Sequence, residues 1–218
     1  MNCLHQQNMK YNAIIFDFDG TIADTSEGII DAHVYALKFM GKKVPPTEEI
    51  YNLIGGQLLK IYNEIFDFPL QKAHSTIEIY RKRYAEVGIH KATLYPDFQS
   101  VLKTLKSRGF KIGLATLKAE TFAKIMLEEL DIIQYFDCIC GMDLNDTLTK
   151  ADLIIKCLNN LQCGSEEALF VGDSEPDLQG ALKVGVEFLG VTYGFGFKKN
   201  EKYDFKTIDN CSELLAIT

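Results

Sequence analysis

Nothing in the 218 residues approaches the roughly 18 consecutive apolar residues that a membrane-spanning helix requires, so no such helix is expected. The N-terminal stretch, Met1 to Lys10, is polar and lacks the apolar run of a secretory signal. Positive charge is also in short supply. Lysine and arginine total 23 against 30 aspartates and glutamates, and the net charge of −7 argues against a general nucleic-acid-binding surface. Histidine is scarce too: His5, His33, His74 and His90 are scattered through the N-terminal half. The cysteines, at 3, 138, 140, 157, 163 and 211, show no zinc-site spacing. They are expected to be free, mostly buried thiols of a reducing compartment. Cys138 and Cys140, one residue apart in an apolar run, are expected on opposite faces of a strand. These absences leave a soluble, cytoplasmic protein, monomeric or homodimeric, that contacts neither membrane nor nucleic acid.

What is present is ordinary globular composition, with 47% apolar and 24% charged residues. Short apolar runs at Ala13–Phe16, Ile112–Ala115, Cys138–Cys140, Ala168–Val171 and Val186–Val191 read as buried strands. Helical spacing appears between them. Phe98, Val101, Leu102 and Leu105 fall at i, i+3, i+4, i+7, as do Ile154, Cys157, Leu158 and Leu161. Asp97 is placed to cap the first of these helices and Gly109 to end it. The alternation predicts a doubly wound α/β fold with a mostly parallel sheet.

Between residues 24 and 92 the alternation gives way to helical patterns alone. Ile30, His33, Val34 and Leu37 share one helical face, and a break at Val44-Pro45-Pro46 follows. Thr47 is placed to cap the next helix. The expected organisation is an α/β core from 1–23 and 93–218, with a small all-helical insert at 24–92 directly after the first strand.

In open α/β sheets, sites form at the carboxyl ends of strands. The first strand ends in Asp17-Phe18-Asp19-Gly20-Thr21, the strand at 112–115 in Thr116, and the strand at 168–171 in Gly172-Asp173, with Asp177 four residues on. A packed core gives no reason for this convergence of carboxylates. Grouped carboxylates raise each other's pKa or demand a cation, and Mg²⁺ is the hard, oxygen-seeking ion that suits them. A phosphate substrate would need such a cation as well, given the acidity of the chain.

These motifs, in this order, resemble the haloacid dehalogenase superfamily of phosphatases. Asp17 to Thr21 matches its DxDGT motif, Thr116 its second-motif hydroxyl, Lys150 its lysine, and Gly172-Asp173 through Asp177 its final acidic motif. The insert is similar to the family's smaller cap type. Tyr95-Pro96-Asp97 and Gly190-Val191-Thr192-Tyr193-Gly194 look like the phosphoglycolate phosphatase subgroup. The resemblance implies Asp17 as nucleophile and Asp19 as acid and base. Thr116 would hydrogen-bond a phosphoryl oxygen and Lys150 would neutralise charge. Mg²⁺ would be held by Asp17 and Asp173 and by the backbone carbonyl of Asp19, with Asp177 orienting Lys150 or a metal-bound water. Gly20 permits close approach to the ligand, and Gly55-Gly56-Gln57 resembles a substrate-facing cap loop.

The sequence departs from the family pattern in two places. Ala151-Asp152 follows Lys150, where proline is common, and Leu117-Lys118 follows Thr116, where a small polar residue is usual. Lys118 and Lys156 therefore stand as alternatives for the lysine. The basic run Arg81-Lys82-Arg83 is expected to be a solvated helix face. The reading is a phosphatase for a small phosphorylated metabolite, phosphoglycolate being the family-based guess. The alternatives are a phosphosugar mutase of the same superfamily and a receiver-type phospho-accepting module.

Overall fold

In chain order the strands are β1 (Ala13–Phe16), β2 (Ala23–Asp24), β3 (Thr93–Leu94), β4 (Lys111–Ala119), β5 (Cys138–Met142), β6 (Ala168–Gly172), β7 (Glu187–Val191) and β8 (Lys206–Ile208). The helices are α1 (Ser26–Phe39), α2 (Thr47–Tyr51), α3 (Leu58–Lys60), α4 (Leu70–Glu86), α5 (Phe98–Ser107), α6 (Glu120–Glu129), α7 (Lys150–Leu161) and α8 (Glu175–Val184). The computed structural model describes residues 10–143 and 147–218, so Cys3 and His5 lie outside the described residues. No described helix is long and apolar enough to cross a membrane.

Six strands form one parallel sheet in the order β5-β4-β1-β6-β7-β8. The chain winds outward from β1 through β4 to β5, then returns to the other side of β1 and continues through β6. The direction of winding therefore reverses between β1 and β6. That switch point opens a crevice beyond the carboxyl ends of the two strands.

The two faces of the sheet follow from strand periodicity. Ile14 and Phe16 join one buried cluster with Ile112, Leu114 and the apolar faces of α5 and α6. Ala13 and Ile15 join the other, with Phe170, Phe188 and the inner face of α7. Helices thus cover both faces of a doubly wound sheet, as the alternation predicted.

The predicted strands all form, but several local expectations are corrected. Asp97 precedes α5 in a left-handed conformation (φ 63°) and its side chain makes no cap bond. A capping side chain needs an extended backbone to face the first amides. Thr47 is the first helical residue of α2 and Pro46 occupies the cap position, in keeping with the fixed φ of proline at a helix start. On α1 the buried face is Ile29, Ala32, His33, Ala36 and Leu37, with Ile30 and Val34 at its margin. Cys138 and Cys140 share a face of β5, because residues two apart in a strand point the same way.

The helical segment leaves and rejoins the main chain through a short antiparallel ribbon that pairs Ala23 with Leu94 and Asp24 with Thr93. Within it, α1 packs on α4. Arg83 holds Asp31 through Nε to Oδ2 at 2.7 Å and Nη2 to Oδ1 at 3.2 Å, so part of the basic run ties two helices together. His33 lies at the centre of this packing. Its Nδ1 is 2.9 Å from the Tyr62 hydroxyl, and its ring is 4.6 Å from that of Tyr80.

Burial lowers the His33 pKa to about 3, so the folded protein keeps the ring neutral. The unfolded chain takes up that proton near pH ~6.5. His33 thus adds stability above that pH, and the contribution is lost as the pH falls toward about 3, at about 1.4 kcal/mol per pH unit. Between about pH 6 and about pH 4, wild-type unfolding free energy is expected to fall more steeply than that of His33→Gln. Parallel curves for the two proteins in denaturant titrations would contradict this.

Candidate active site

Asp17 directly follows β1, and its backbone N–H donates to the Val171 carbonyl at 2.9 Å. The parallel register that pairs Phe16 with Val171 sets Asp17 alongside the end of β6. Asp173 follows that strand. Carboxylate oxygens of Asp17, Asp173 and Asp177 all lie within 4.8 Å of one another, and all three residues are buried. The two motifs, separated by more than 150 residues, therefore meet at the switch point.

Lys150, the first residue of α7, reaches into this cluster. Its Nζ donates to Asp17 Oδ1 at 2.6 Å and to the Ala115 carbonyl at 3.3 Å, and lies 2.8 Å from Asp177 Oδ1. Two local features bring it there. Thr149 and Asp152 form a capping box: Thr149 N–H donates to Asp152 Oδ2 at 2.8 Å, and Asp152 N–H donates to Thr149 Oγ1 at 3.3 Å. On α8, Gly180 leaves the channel for the lysine stem, since a Cβ there would sit 2.6 Å from Lys150 Cγ. Of the alternative lysines, Lys156 lies on the outer side of α7 and pairs with Glu120 at 3.1 Å.

Lys118 has a different place. Its Nζ is 3.0 Å from Asp19 Oδ1 and donates to the Tyr84 hydroxyl at 2.7 Å. Thr25 Oγ1 also donates to Asp19 Oδ1, at 2.5 Å. Asp19 is thus held by β4 and by the start of α1 at once. Thr116, 1% exposed, accepts from the Lys118 N–H at 3.2 Å. The Thr21 hydroxyl of the first motif is fully buried and has no hydrogen-bond partner among the described residues.

Asp177 is fixed by the start of α8. Its Oδ2 accepts from the N–H groups of Asp173 and Ser174, both at 3.2 Å, and from Ser174 Oγ at 2.7 Å. Its Oδ1 faces Lys150. Asp177 thus has one oxygen on the backbone of the α8 start and the other on Lys150, beside the carboxylates of Asp17 and Asp173.

Asp173 has no such counter-charge. Its Oδ2 accepts the N–H of Phe195 at 2.6 Å and of Gly196 at 3.3 Å, and no lysine or arginine pairs with it among the described residues. Gly20, at φ +81°, lies directly against it: a Cβ there would be 2.2 Å from Asp173 Oδ2. Only glycine fits both that backbone angle and that approach.

The electrostatics reflect this crowding. Burial pushes the Asp17 carboxyl up to about 7; Lys150 pulls it down, while Asp177 and Asp19 push it further up. Burial, then repulsion from Asp177 and Asp17, raises Asp173 well above the usual carboxylate range. Burial disfavours the charged form of Lys150, but Asp17 and Asp177 outweigh it and keep the ammonium protonated. A hard divalent cation suits this donor set, because Asp17 and Asp177 share one lysine and the adjacent buried Asp173 has no counter-ion among the described residues.

The helical segment closes over the crevice. A cleft of about 70 Å³ above Asp19 is lined by Gly55, Gly56, Gln57, Arg81, Tyr84 and Lys118. A second, of about 580 Å³, shares Gly55, Gly56, Gln57 and Leu117 and reaches Thr149 and Lys150. Gln57 Nε2 donates to the Leu148 carbonyl at 3.1 Å, linking the loop to the segment before α7. The expected glycine pair is therefore brought to the site. Thr25, Tyr84 and the amides of Phe195 and Gly196 were not legible from strand ends, since none of them follows a strand of the sheet directly.

Residues 14–191 match the family model described as haloacid dehalogenase-like hydrolase. A 5'-nucleotidase of Pseudomonas aeruginosa is 30% identical over 210 residues, covering 96% of this chain and 95% of that protein. A phosphoglycolate phosphatase of Aquifex aeolicus is 28% identical, covering 94% and 95%. The crystal structure of a predicted phosphatase from Clostridium acetobutylicum superposes with a TM-score of 0.87 at 33% identity, covering 94% of this chain and 96% of that one. On the span of the family model and these near full-length matches, the chain belongs to the haloacid dehalogenase-like hydrolases.

Proposed function

We propose that this protein is a Mg²⁺-dependent phosphatase that hydrolyses a small phosphate monoester through an aspartyl-phosphate on Asp17. The observation that carries this reading is the meeting of Asp17, Asp173 and Lys150 in one buried cluster. Mg²⁺ would be held by the carboxylates of Asp17 and Asp173 and by the Asp19 backbone carbonyl; when bound it would supply positive charge for the phosphoryl oxygens.

In the first step an Asp17 oxygen attacks phosphorus as the bond to the leaving oxygen breaks. Asp19 gives a proton to that leaving oxygen. The recorded contacts of its carboxylate, from Thr25 and Lys118, fall on Oδ1, which leaves Oδ2 to carry the proton. Asp19 then takes a proton from water as the water attacks the aspartyl-phosphate, releasing inorganic phosphate and restoring Asp17. Lys150 holds Asp17 in line and offsets charge on the transferring group. Thr116 donates its hydroxyl to a phosphoryl oxygen.

The segment at 24–92 acts as a cap that shields the site from water, with Gly55 and Gly56 over the substrate. The cleft above Asp19 is small and carries the Lys118 and Arg81 side chains, which suits a compact, anionic leaving group of the glycolate kind. The names of the relatives, a 5'-nucleotidase and a phosphoglycolate phosphatase, mark the substrate classes to screen first.

Three measurements test the reading. Asp17→Asn is expected to cut turnover of p-nitrophenyl phosphate at least ~10³-fold with an unchanged circular dichroism spectrum; wild-type turnover in that variant sinks the mechanism. Chelation with EDTA is expected to silence the enzyme and added Mg²⁺ to restore it, whereas full activity in chelator removes the metal from the account. Mg²⁺ at 100 times its Kd should stabilise the wild type by about 2.7 kcal/mol. Asp173→Asn should lose that gain, yet unfold no earlier than the metal-free wild type, because a repelled buried charge has gone. An undiminished Mg²⁺ effect in the variant would place the ion elsewhere.

A further inference from the structure

Away from the carboxylate cluster, two turns further along the buried face of α7, three thiols converge. Sulfur atoms of Cys138, Cys140 and Cys157 all lie within 4.8 Å of one another. Cys138 Sγ and Cys157 Sγ are 3.1 Å apart, and Asn160 Nδ2 lies 3.5 Å from Cys140 Sγ. Cys138 and Cys140 come from one face of the edge strand β5, and Cys157 from the buried face of α7.

The backbone beneath makes room for them. A Cβ on Gly113 of β4 would stand 2.3 Å from Cys157 Sγ and 3.2 Å from Cys138 Sγ, so sulfur fills space that a side chain would otherwise occupy. Ordinary core packing accounts for one or two buried cysteines as small hydrophobes. It gives no reason for three sulfurs to meet one another within an otherwise apolar cluster.

The geometry points to a binding site for a soft d¹⁰ metal ion, Cu(I) or Zn(II), ligated by the sulfurs of Cys138, Cys140 and Cys157. An ion about 2.3 Å from each of three sulfurs in a plane holds those sulfurs about 4 Å apart, within the 4.8 Å that bounds their present separations, and Cys138 and Cys157 would part from 3.1 Å to admit it. Thiolates select these ions over harder ones, so Mg²⁺ would not compete here. Binding would displace protons from the thiols. Cys138, only half-buried at the start of β5, offers the way in.

The test uses the full chain, reduced, metal-free and anaerobic, in Mg²⁺-containing buffer. It is titrated with Cu(I) and, in a separate arm, with Zn(II), each against a chromogenic chelator. One equivalent is expected to bind, with near-ultraviolet sulfur-to-metal absorbance for Cu(I). Filling by Cu(I) alone assigns a three-coordinate site; filling by Zn(II) assigns one completed by water. Cys140→Ser and the half-buried Cys138→Ser are expected to lose that equivalent, while Cys163→Ser, outside the cluster, keeps it. Failure of both ions to bind the wild type, or wild-type binding in folded Cys138→Ser and Cys140→Ser, overturns the proposal.

Discussion

The structure depends on placing like charges together at the carboxyl ends of β1 and β6. Removing a carboxylate from water without a partner is among the most unfavourable things a fold can do. Here Asp17, Asp173 and Asp177 are buried within 4.8 Å of each other around a single ammonium group. Burial, with repulsion from the neighbouring carboxylates after it, raises both Asp17 and Asp173. A core built only for stability would not contain this arrangement. A divalent cation held among these carboxylates would make it favourable, and would lower the barrier to an anionic substrate.

The rest of the fold maintains that placement. Parallel pairing of Phe16 with Val171 fixes the two strand ends side by side. The capping box at Thr149 starts α7 at the lysine, and Gly180 lets the lysine stem pass α8. The amides of Phe195 and Gly196 hold one oxygen of Asp173 and leave the other to the site. Above, the helical segment contributes Tyr84, which accepts from Lys118, and Gln57, which donates to Leu148. Its packing around His33 and Tyr62 runs into the apolar cluster that also holds Ile14 and Phe16 of the sheet.

Much of this was legible in the sequence because strand ends carry their chemistry locally. Asp17, Thr116 and Asp173 each directly follow or close an apolar run, and short apolar runs between amphipathic helices specify an α/β sheet. The family's missing proline after Lys150 loses its significance once Asp152 is seen to start the helix by capping. Contacts set by tertiary packing were not legible. Lys118 competes with Lys150 on paper, but the irregular end of β4, between Ala115 and Ala119, places it against Asp19. Asp97 has the composition of a helix cap and the wrong backbone angle. The faces of Cys138 and Cys140 were misassigned although strand periodicity alone places them together. Their meeting with Cys157 depends on how α7 lies on β5, which spacing does not encode.

The central claim is that Asp17 and Asp173 share one divalent ion. Its most direct test is a crystal structure of the protein grown with Mn²⁺ in place of Mg²⁺, with anomalous data collected near the manganese edge. The account predicts a single strong peak touching a carboxylate oxygen of each of these residues, with Lys150 still against Asp17. A peak elsewhere, or none beside an ordered Asp173, would contradict it.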